Sequence, residues 1–201
     1  MSNVVSVVDY GSAGNIESIR RAFVAAGADV RVTNSPADVL AARRVVLPGV
    51  GSFSEGMMQI RERGMFDAVR RVAEDRPVLG ICLGMQLLAD VGYEFGETAG
   101  LGLVEGEVRP VVCKAAVPHI GFKPVRRIGD APIFAGIEAD AEFYFMHSYE
   151  FVNFTDVAGL STHGGHSFVA AVARGNVFGV QFHPEKSRGA GIRLLKNFVG
   201  L

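Results

Sequence analysis

The stretch LGICLGMQLL, residues 79–88, sets the thiol of Cys82 between Gly80 and Gly84. An apolar run, Val78–Ile81, leads in, and a helix-like run, Met85–Leu88, leads out. A cysteine at a strand-to-helix turn flanked by glycines is a nucleophile elbow, because small neighbours permit a strained backbone that exposes the side chain. The turn also brings the next backbone N–H and a helix N-terminus to the sulfur, where both favour negative charge. Taken alone, the pattern serves a second reading equally well, since a free cysteine is often a small buried core residue.

Far downstream, GVQFHPE (179–185) places His183 and Glu185 just past an apolar strand. In an extended segment residues i and i+2 point the same way, so Glu185 would orient His183. His183 would then take a proton from Cys82, giving nucleophile, base and orienter. A lone His-x-Glu is ordinarily a solvent-facing strand end; its pairing with the elbow favours catalysis. A third element is LPGVGSF (47–53), where Gly49 and Gly51 let backbone amides turn toward an anion. The N–H of Val50 would join that of Leu83 as an oxyanion hole. A plain glycine turn between strand and helix is the alternative.

The elements that must position these groups follow from periodicity. Val4–Val8 is a short apolar run that reads as a buried strand, and Val30–Val32, Arg44–Leu47 and Val78–Ile81 read as three further strands. Between them lie helical patterns: one opened by Gly14 or Asn15 with Ile16, Ile19, Phe23 and Ala26 on one face, one started by Ser35-Pro36 and running through Ala41, and one from Met57 to Glu74 broken near Gly64. Strands alternating with helices imply an α/β fold with a mostly parallel sheet covered on both faces. Later β-like runs at Leu101–Val112, Phe143–Phe151, Ser167–Ala173 and Val177–Phe182 make the second part richer in antiparallel strands. ARGN joins the last two as a hairpin turn, and a final helix carries Leu194, Leu195 and Phe198. One domain over residues 1–201 is expected.

Composition narrows the classes. Of the 201 residues 49% are hydrophobic and 20% charged, and 20 basic residues face 21 acidic ones. That is a soluble globular balance with no bias toward nucleic acid or an anionic membrane. No apolar run reaches spanning length and the N-terminal stretch lacks a signal-peptide pattern, so a cytoplasmic protein is expected. Two cysteines, Cys82 and Cys113, make no disulfide framework, and Cys113 reads as structural within a β-like run. His163 and His166 lack a cysteine or carboxylate cluster and read as a polar loop rather than a metal site. DYGSAGN (9–15) lacks dinucleotide-loop spacing. The basic C-terminal segment reads as a solvated helix face.

LPGVGSF, GICLGMQLL, PHIGF, FYFMHSY and GVQFHPEKS occur in this order along the chain. Together they resemble the class I, triad-type glutamine amidotransferases, and most closely the glutaminase subunits of imidazole glycerol phosphate synthase. The resemblance implies that Cys82 attacks the side-chain amide of L-glutamine, with His183 moving protons and Glu185 orienting it. It assigns the holding of glutamine to Gln86, Glu94, His147, Ser148 and Tyr149. It implies a heterodimer with a (β/α)8-barrel synthase that receives ammonia, with Asn15, Phe122, Tyr144 and Lys186 on the partner face, and no cofactor. Two departures fall on the expected partner side: a DYGSAGN turn one residue longer than usual, and Phe122-Lys123 where tryptophan and asparagine are usual. They fit a rival reading, a paralogue that feeds ammonia to an enzyme amidating surface sugars. An α/β-hydrolase is disfavoured because Glu185 follows His183 instead of preceding it, and a decayed binding module is disfavoured by the intact Cys82, His183 and Glu185.

Overall fold

The computed structural model describes residues 3–11, 15–152 and 155–201. β1 (Val4–Val8) buries Val5, Val7 and Val8 completely, as a parallel strand covered on both faces must. α1 (Ile16–Ala25) follows Asn15 and buries Ile19, Ala22 and Phe23; the alternative start at Gly14 lies outside the described residues. β2 (Asp29–Thr33) leads to α2 (Pro36–Ala41), where the Ser35 hydroxyl accepts the Asp38 N–H and proline occupies the first turn. β3 (Val45–Leu47) precedes α3 (Phe53–Glu62) and α4 (Met65–Ala73), separated at Gly64, whose φ of 67° ends the first helix. The periodicity placed the start of this pair at Met57. It starts four residues earlier, at Phe53, where the Ser52 hydroxyl caps it by accepting the Glu55 N–H. β4 (Val78–Ile81) and α5 (Leu83–Gln86) flank Cys82; the helix begins and ends about two residues before the expected Met85–Leu88.

In the second half, β5 (Val91–Gly92), β6 (Thr98–Ala99) and β7 (Glu107–Pro110) are short. β8 (His119–Pro124) and β9 (Arg126–Arg127) precede β10 (Glu142–His147) and β11 (Tyr149–Val152). β12 (Val157–His163), β13 (His166–Arg174) and β14 (Val177–Val180) lead to α6 (Arg188–Val199). Three expectations need correction. The run 101–112 is a strand only over 107–110, so Cys113 sits beyond it, in a loop, with its thiol on the Ala115 carbonyl. The run 143–151 breaks at Ser148, and its halves join different sheets. β8 and β12 were not anticipated, because glycine, lysine and polar residues interrupt their apolar pattern.

The main sheet runs β2-β1-β3-β4-β14-β13-β12-β9. Its first five strands are parallel and the remainder antiparallel, with the ARGN turn closing the β13–β14 hairpin. β10 and β8 form a separate ribbon, and β11, β7, β5 and β6 a small third sheet. One apolar core lies under α1 and α6, where Phe23 meets Phe198 edge-on at 6.2 Å. A second lies under α2, α3 and α4. Cys82 belongs to the first core and Leu83 to the second, so the chain passes from one side of the sheet to the other at the elbow.

Space at that crossing is closed. A Cβ on Gly84 would overlap the Leu47 carbonyl, and one on Gly80 would overlap the Gly84 carbonyl. Gly84→Ala should therefore destabilise the fold by roughly 3 kcal/mol or more, since backbone atoms cannot yield as a side chain can. Gly189, in α6 with nothing within 4 Å of its Cβ position, is the control: Gly189→Ala should be neutral or stabilising by up to about 1 kcal/mol. Urea unfolding midpoints of the two variants check both.

Candidate active site

Cys82 holds φ 53° and ψ −110°, a sparsely populated region for a residue with a side chain. Its N–H donates to the Val180 carbonyl (2.8 Å), and its own carbonyl accepts the Gln86 N–H (3.2 Å). β4 lies parallel to β14 with Ile81 opposite Val180. Cys82 and the 181–183 segment therefore leave the sheet side by side, at the carboxyl ends of adjacent strands.

His183 is 1% exposed, and its N–H donates to the Tyr144 carbonyl (2.8 Å). Its Nδ1 lies 2.8 Å from Glu185 Oε1. A carboxylate only accepts, so Nδ1 carries the proton and Nε2 is left for chemistry. The expected route to this contact was an extended strand. Instead Pro184–Lys186 is a 3-10 turn, and Glu185 comes back to the ring around that turn. Nε2 is buried with no hydrogen-bond partner among the described residues. Burial alone would suppress charge on this ring. The Cys82 sulfur and the Glu185 carboxylate outweigh that effect and push its pKa up to about 9. The side-chain amide of Asn15 donates to the same Glu185 oxygen. Asn15 stands at the N-cap of α1 yet makes no side-chain cap bond; its amide is committed to the triad carboxylate.

A cavity of about 240 Å³ opens beside the sulfur. All five residues assigned to glutamine line it, as do Val50, Gly51, Leu83 and His183. Gly49 lies behind the wall, where a Cβ would strike the Tyr10 hydroxyl and Leu83; its lack of a side chain serves packing. Glu94 brings the cavity's carboxylate, and one of its oxygens accepts the Phe53 N–H at the start of α3 (2.7 Å). Gln86 is 5% exposed and spends its NH2 inward, on the Tyr149 carbonyl (3.1 Å) and Gln181 Oε1 (3.0 Å). His147 is fixed at both nitrogens, Nδ1 on the Tyr149 carbonyl (2.8 Å) and Nε2 against His119 Nδ1 (3.1 Å). It forms a rigid wall and has no spare ring nitrogen. Burial, reinforced by neighbouring imidazoles, pulls His147 and His119 down to about 4, so both are neutral at physiological pH. His163 stacks on His119 at 4.1 Å, and His166 pairs with Glu150.

Phe122 meets Tyr144 edge-on (5.4 Å), the Lys186 ammonium lies 5.5 Å from the Tyr144 ring, and Arg188 covers Phe122 (4.4 Å). Phe122, Tyr144 and Lys186 thus form one surface. Lys123 does not join it: it alternates onto the opposite face of the β8–β10 ribbon, with His119 and Gly121. Sequence reasoning passed over Gln181, whose amide reaches the sulfur. The i, i+2 rule that linked His183 forward to Glu185 also links it backward to Gln181.

The glutamine amidotransferase class-I family model matches residues 6–200. The chain belongs to this family. It is 46% identical over 208 residues to imidazole glycerol phosphate synthase subunit HisH of Methylococcus capsulatus, covering 97% of this chain and 95% of that one. The corresponding subunit of Moorella thermoacetica is 43% identical over 196 residues, covering 96% and 93%. Among solved structures, PurLQS from Thermotoga maritima superposes with a TM-score of 0.79 at 19% identity over 100% of this chain and 99% of that one, which shows a shared fold. This glutamine amidotransferase is an enzyme whose mixed sheet and flanking helices are those of its class.

The triad reading predicts a graded series. Cys82→Ala should reduce glutamine hydrolysis to background and His183→Ala should cost several orders of magnitude. Glu185→Gln should cost less, since it removes charge and orientation but leaves the base. Steady-state glutaminase assays check the order, and wild-type rates in both the His183 and the Glu185 variant would remove the triad. The two depressed histidines carry a pH consequence. Neutral in the fold and titrating near 6.5 when unfolded, they contribute stability that is full above pH 6.5 and is lost as pH falls toward 4. Melting temperatures between pH 7 and pH 4 should fall less steeply in His119→Phe than in the wild type.

Proposed function

We propose that the chain is a single-domain glutaminase subunit, residues 1–201, working in the cytoplasm on L-glutamine. The observation that carries this reading is the convergence of Cys82 and His183 on one cavity, with Glu185 bonded to the far side of the His183 ring. The thiol gives its proton to His183 Nε2, and the sulfur adds to the side-chain carbonyl carbon of glutamine. Negative charge then develops on the carbonyl oxygen, where the N–H groups of Leu83 and Val50 serve as donors. Collapse of the adduct expels the amine, which takes the proton from His183 and leaves as ammonia. Water, deprotonated by the same ring, releases glutamate from the γ-glutamyl thioester and restores the thiol.

The ammonia acceptor is a (β/α)8-barrel synthase that forms imidazole glycerol phosphate and an aminoimidazole carboxamide ribotide in histidine biosynthesis. Relatives bearing that enzyme's name over nearly the full length support this. The surface supports a partner too. Across the β8–β10 ribbon Ile120 faces Met146 and Phe122 faces Tyr144, and Ile120 is 58% exposed. An apolar strip with Lys186 and Arg188 beside it suits a partner face carrying carboxylates. The Tyr144 ring, 6.5 Å from the His183 ring, connects this strip to the triad. The rival acceptor, a surface-sugar amidating enzyme, loses support because only Phe122 of the two unusual residues lies on this strip. Co-expression with the barrel subunit of the same genome should give a complex that makes product from glutamine. A complex that forms only with an amidating enzyme favours the rival.

The free subunit should hydrolyse glutamine slowly. The Val50 N–H belongs to the Gly49–Val50 peptide, and the glycines on either side of Val50 tolerate either orientation of the backbone there, so that N–H can turn away from the sulfur. Losing one oxyanion donor costs roughly 2.7–4 kcal/mol, a rate factor of about 10²–10³. Hydrolysis measured for the subunit alone, with the barrel, and with barrel plus acceptor should rise across the series. Equal rates would reduce Val50 to a turn residue.

A further inference from the structure

Gln181 is fully buried, just past the end of β14. Its side-chain Nε2 lies 3.7 Å from Cys82 Sγ, and its Oε1 accepts from Gln86 Nε2 at 3.0 Å. A buried primary amide has two donors and an oxygen to satisfy, and leaving any unmet is costly. The orientation of this amide is dictated by the backbone. The Tyr149 carbonyl can only accept, so the NH2 of Gln86 faces it (3.1 Å). The second N–H of that group is then free to reach only an acceptor, which is Gln181 Oε1. Gln181 is thereby obliged to present its own NH2 to the sulfur.

On another side the Cys82 thiol donates to the Met146 carbonyl (3.8 Å). The sulfur thus has an acceptor suited to S–H and a fixed donor suited to S⁻. A neutral thiol accepts weakly, whereas a thiolate accepts a charge-assisted bond, so a donor held at this place lowers the free energy of the ionised form selectively.

We infer that Gln181, oriented through Gln86 by the Tyr149 carbonyl, holds the Cys82 sulfur as thiolate by a side-chain N–H bond and is a further catalytic residue of the glutaminase reaction. This rests on Cys82 being the nucleophile. The proton leaving sulfur goes to His183 Nε2, and the amide keeps both of its hydrogens throughout, so it acts on charge and not as an acid.

The test is the pH dependence of Cys82 alkylation by iodoacetamide, with the modified residue mapped by mass spectrometry to separate it from Cys113. The full chain is compared as wild type, Gln181→Met and Gln86→Met, each with its melting temperature. The titratable groups around the cavity, His183 after β14, His147 at the end of β10 and Glu94 after β5, remain in all three. Gln181→Met keeps the side-chain volume and should raise the midpoint of the rate–pH curve by about one unit, a tenfold loss of thiolate below it. Gln86→Met keeps Gln181 but frees its orientation and should move the midpoint in the same direction by less. A folded Gln181→Met with the wild-type midpoint overturns the inference. If that variant does not fold, an unmoved midpoint in Gln86→Met overturns it. Failure of the nucleophile assignment is visible separately, as Cys82→Ala retaining glutamine hydrolysis.

Discussion

The parallel pairing of β4 with β14 is the constraint on which the site depends. Ile81 opposite Val180 fixes the level at which both strands end. The Cys82 N–H completes the ladder on the Val180 carbonyl, so the thiol cannot slip relative to the histidine segment. A shift of one residue would turn every side chain of β14 to the other face. It would carry Gln181 and His183 away from the sulfur together. Ligand sites in open α/β sheets gather at the carboxyl ends of such strands, and this cavity is at that end.

The elbow stores strain that the surrounding packing must offset. A non-glycine residue in Cys82's backbone region costs roughly 1–3 kcal/mol. The close approach of Gly84 to Leu47 and of Gly80 to Gly84 lets β3, β4 and α5 pack tightly enough to hold it. Leu83 and Met85 bury on the side of α3 and α4. The same turn thus aims a thiol at one side of the sheet and anchors itself on the other. Gly49 belongs to this packing, while Gly51, beside it, has open space. In the LPGVG loop packing excludes a side chain at Gly49, and the φ of 108° disfavours one at Gly51.

Polar groups around the sulfur form a chain with a fixed sense: Tyr149 carbonyl, Gln86, Gln181, sulfur. On the other side Asn15 and His183 share one Glu185 oxygen. Both chains are buried, so each link is strengthened by the low local dielectric and would be costly to leave unmet. Tyr149 also receives His147, whose neutral ring braces against His119. The ends of β10 and β11 are in this way tied to the nucleophile, and β10 is also the strand that carries the exposed apolar strip. A partner on that strip would press on the same elements that hold the sulfur.

Much of the parallel half was legible in the sequence, because its inner strands are short, mainly apolar runs and the helices carry 3.6-residue faces with caps such as Ser35-Pro36. The elbow was legible for the same local reason: glycine, cysteine and glycine between a strand and a helix leave few backbone options. Pairing Cys82 with His183 and Glu185 was chemical inference from residue types, and the tertiary structure places them together. The antiparallel half was harder to read, since β8 and β12 are half-exposed and Ser148 divides a continuous-looking apolar run between two sheets. Contacts between side chains far apart in the chain were decided by tertiary structure alone. The bond from the Asn15 amide to Glu185 spans 170 residues and had no trace in the DYGSAGN turn itself. Lys123 looked like a neighbour of Phe122 until strand pairing put the two on opposite faces. Gln181 shared only the i, i+2 spacing with His183, because an amide becomes a thiolate donor only when burial removes water and a second amide fixes which end faces the sulfur.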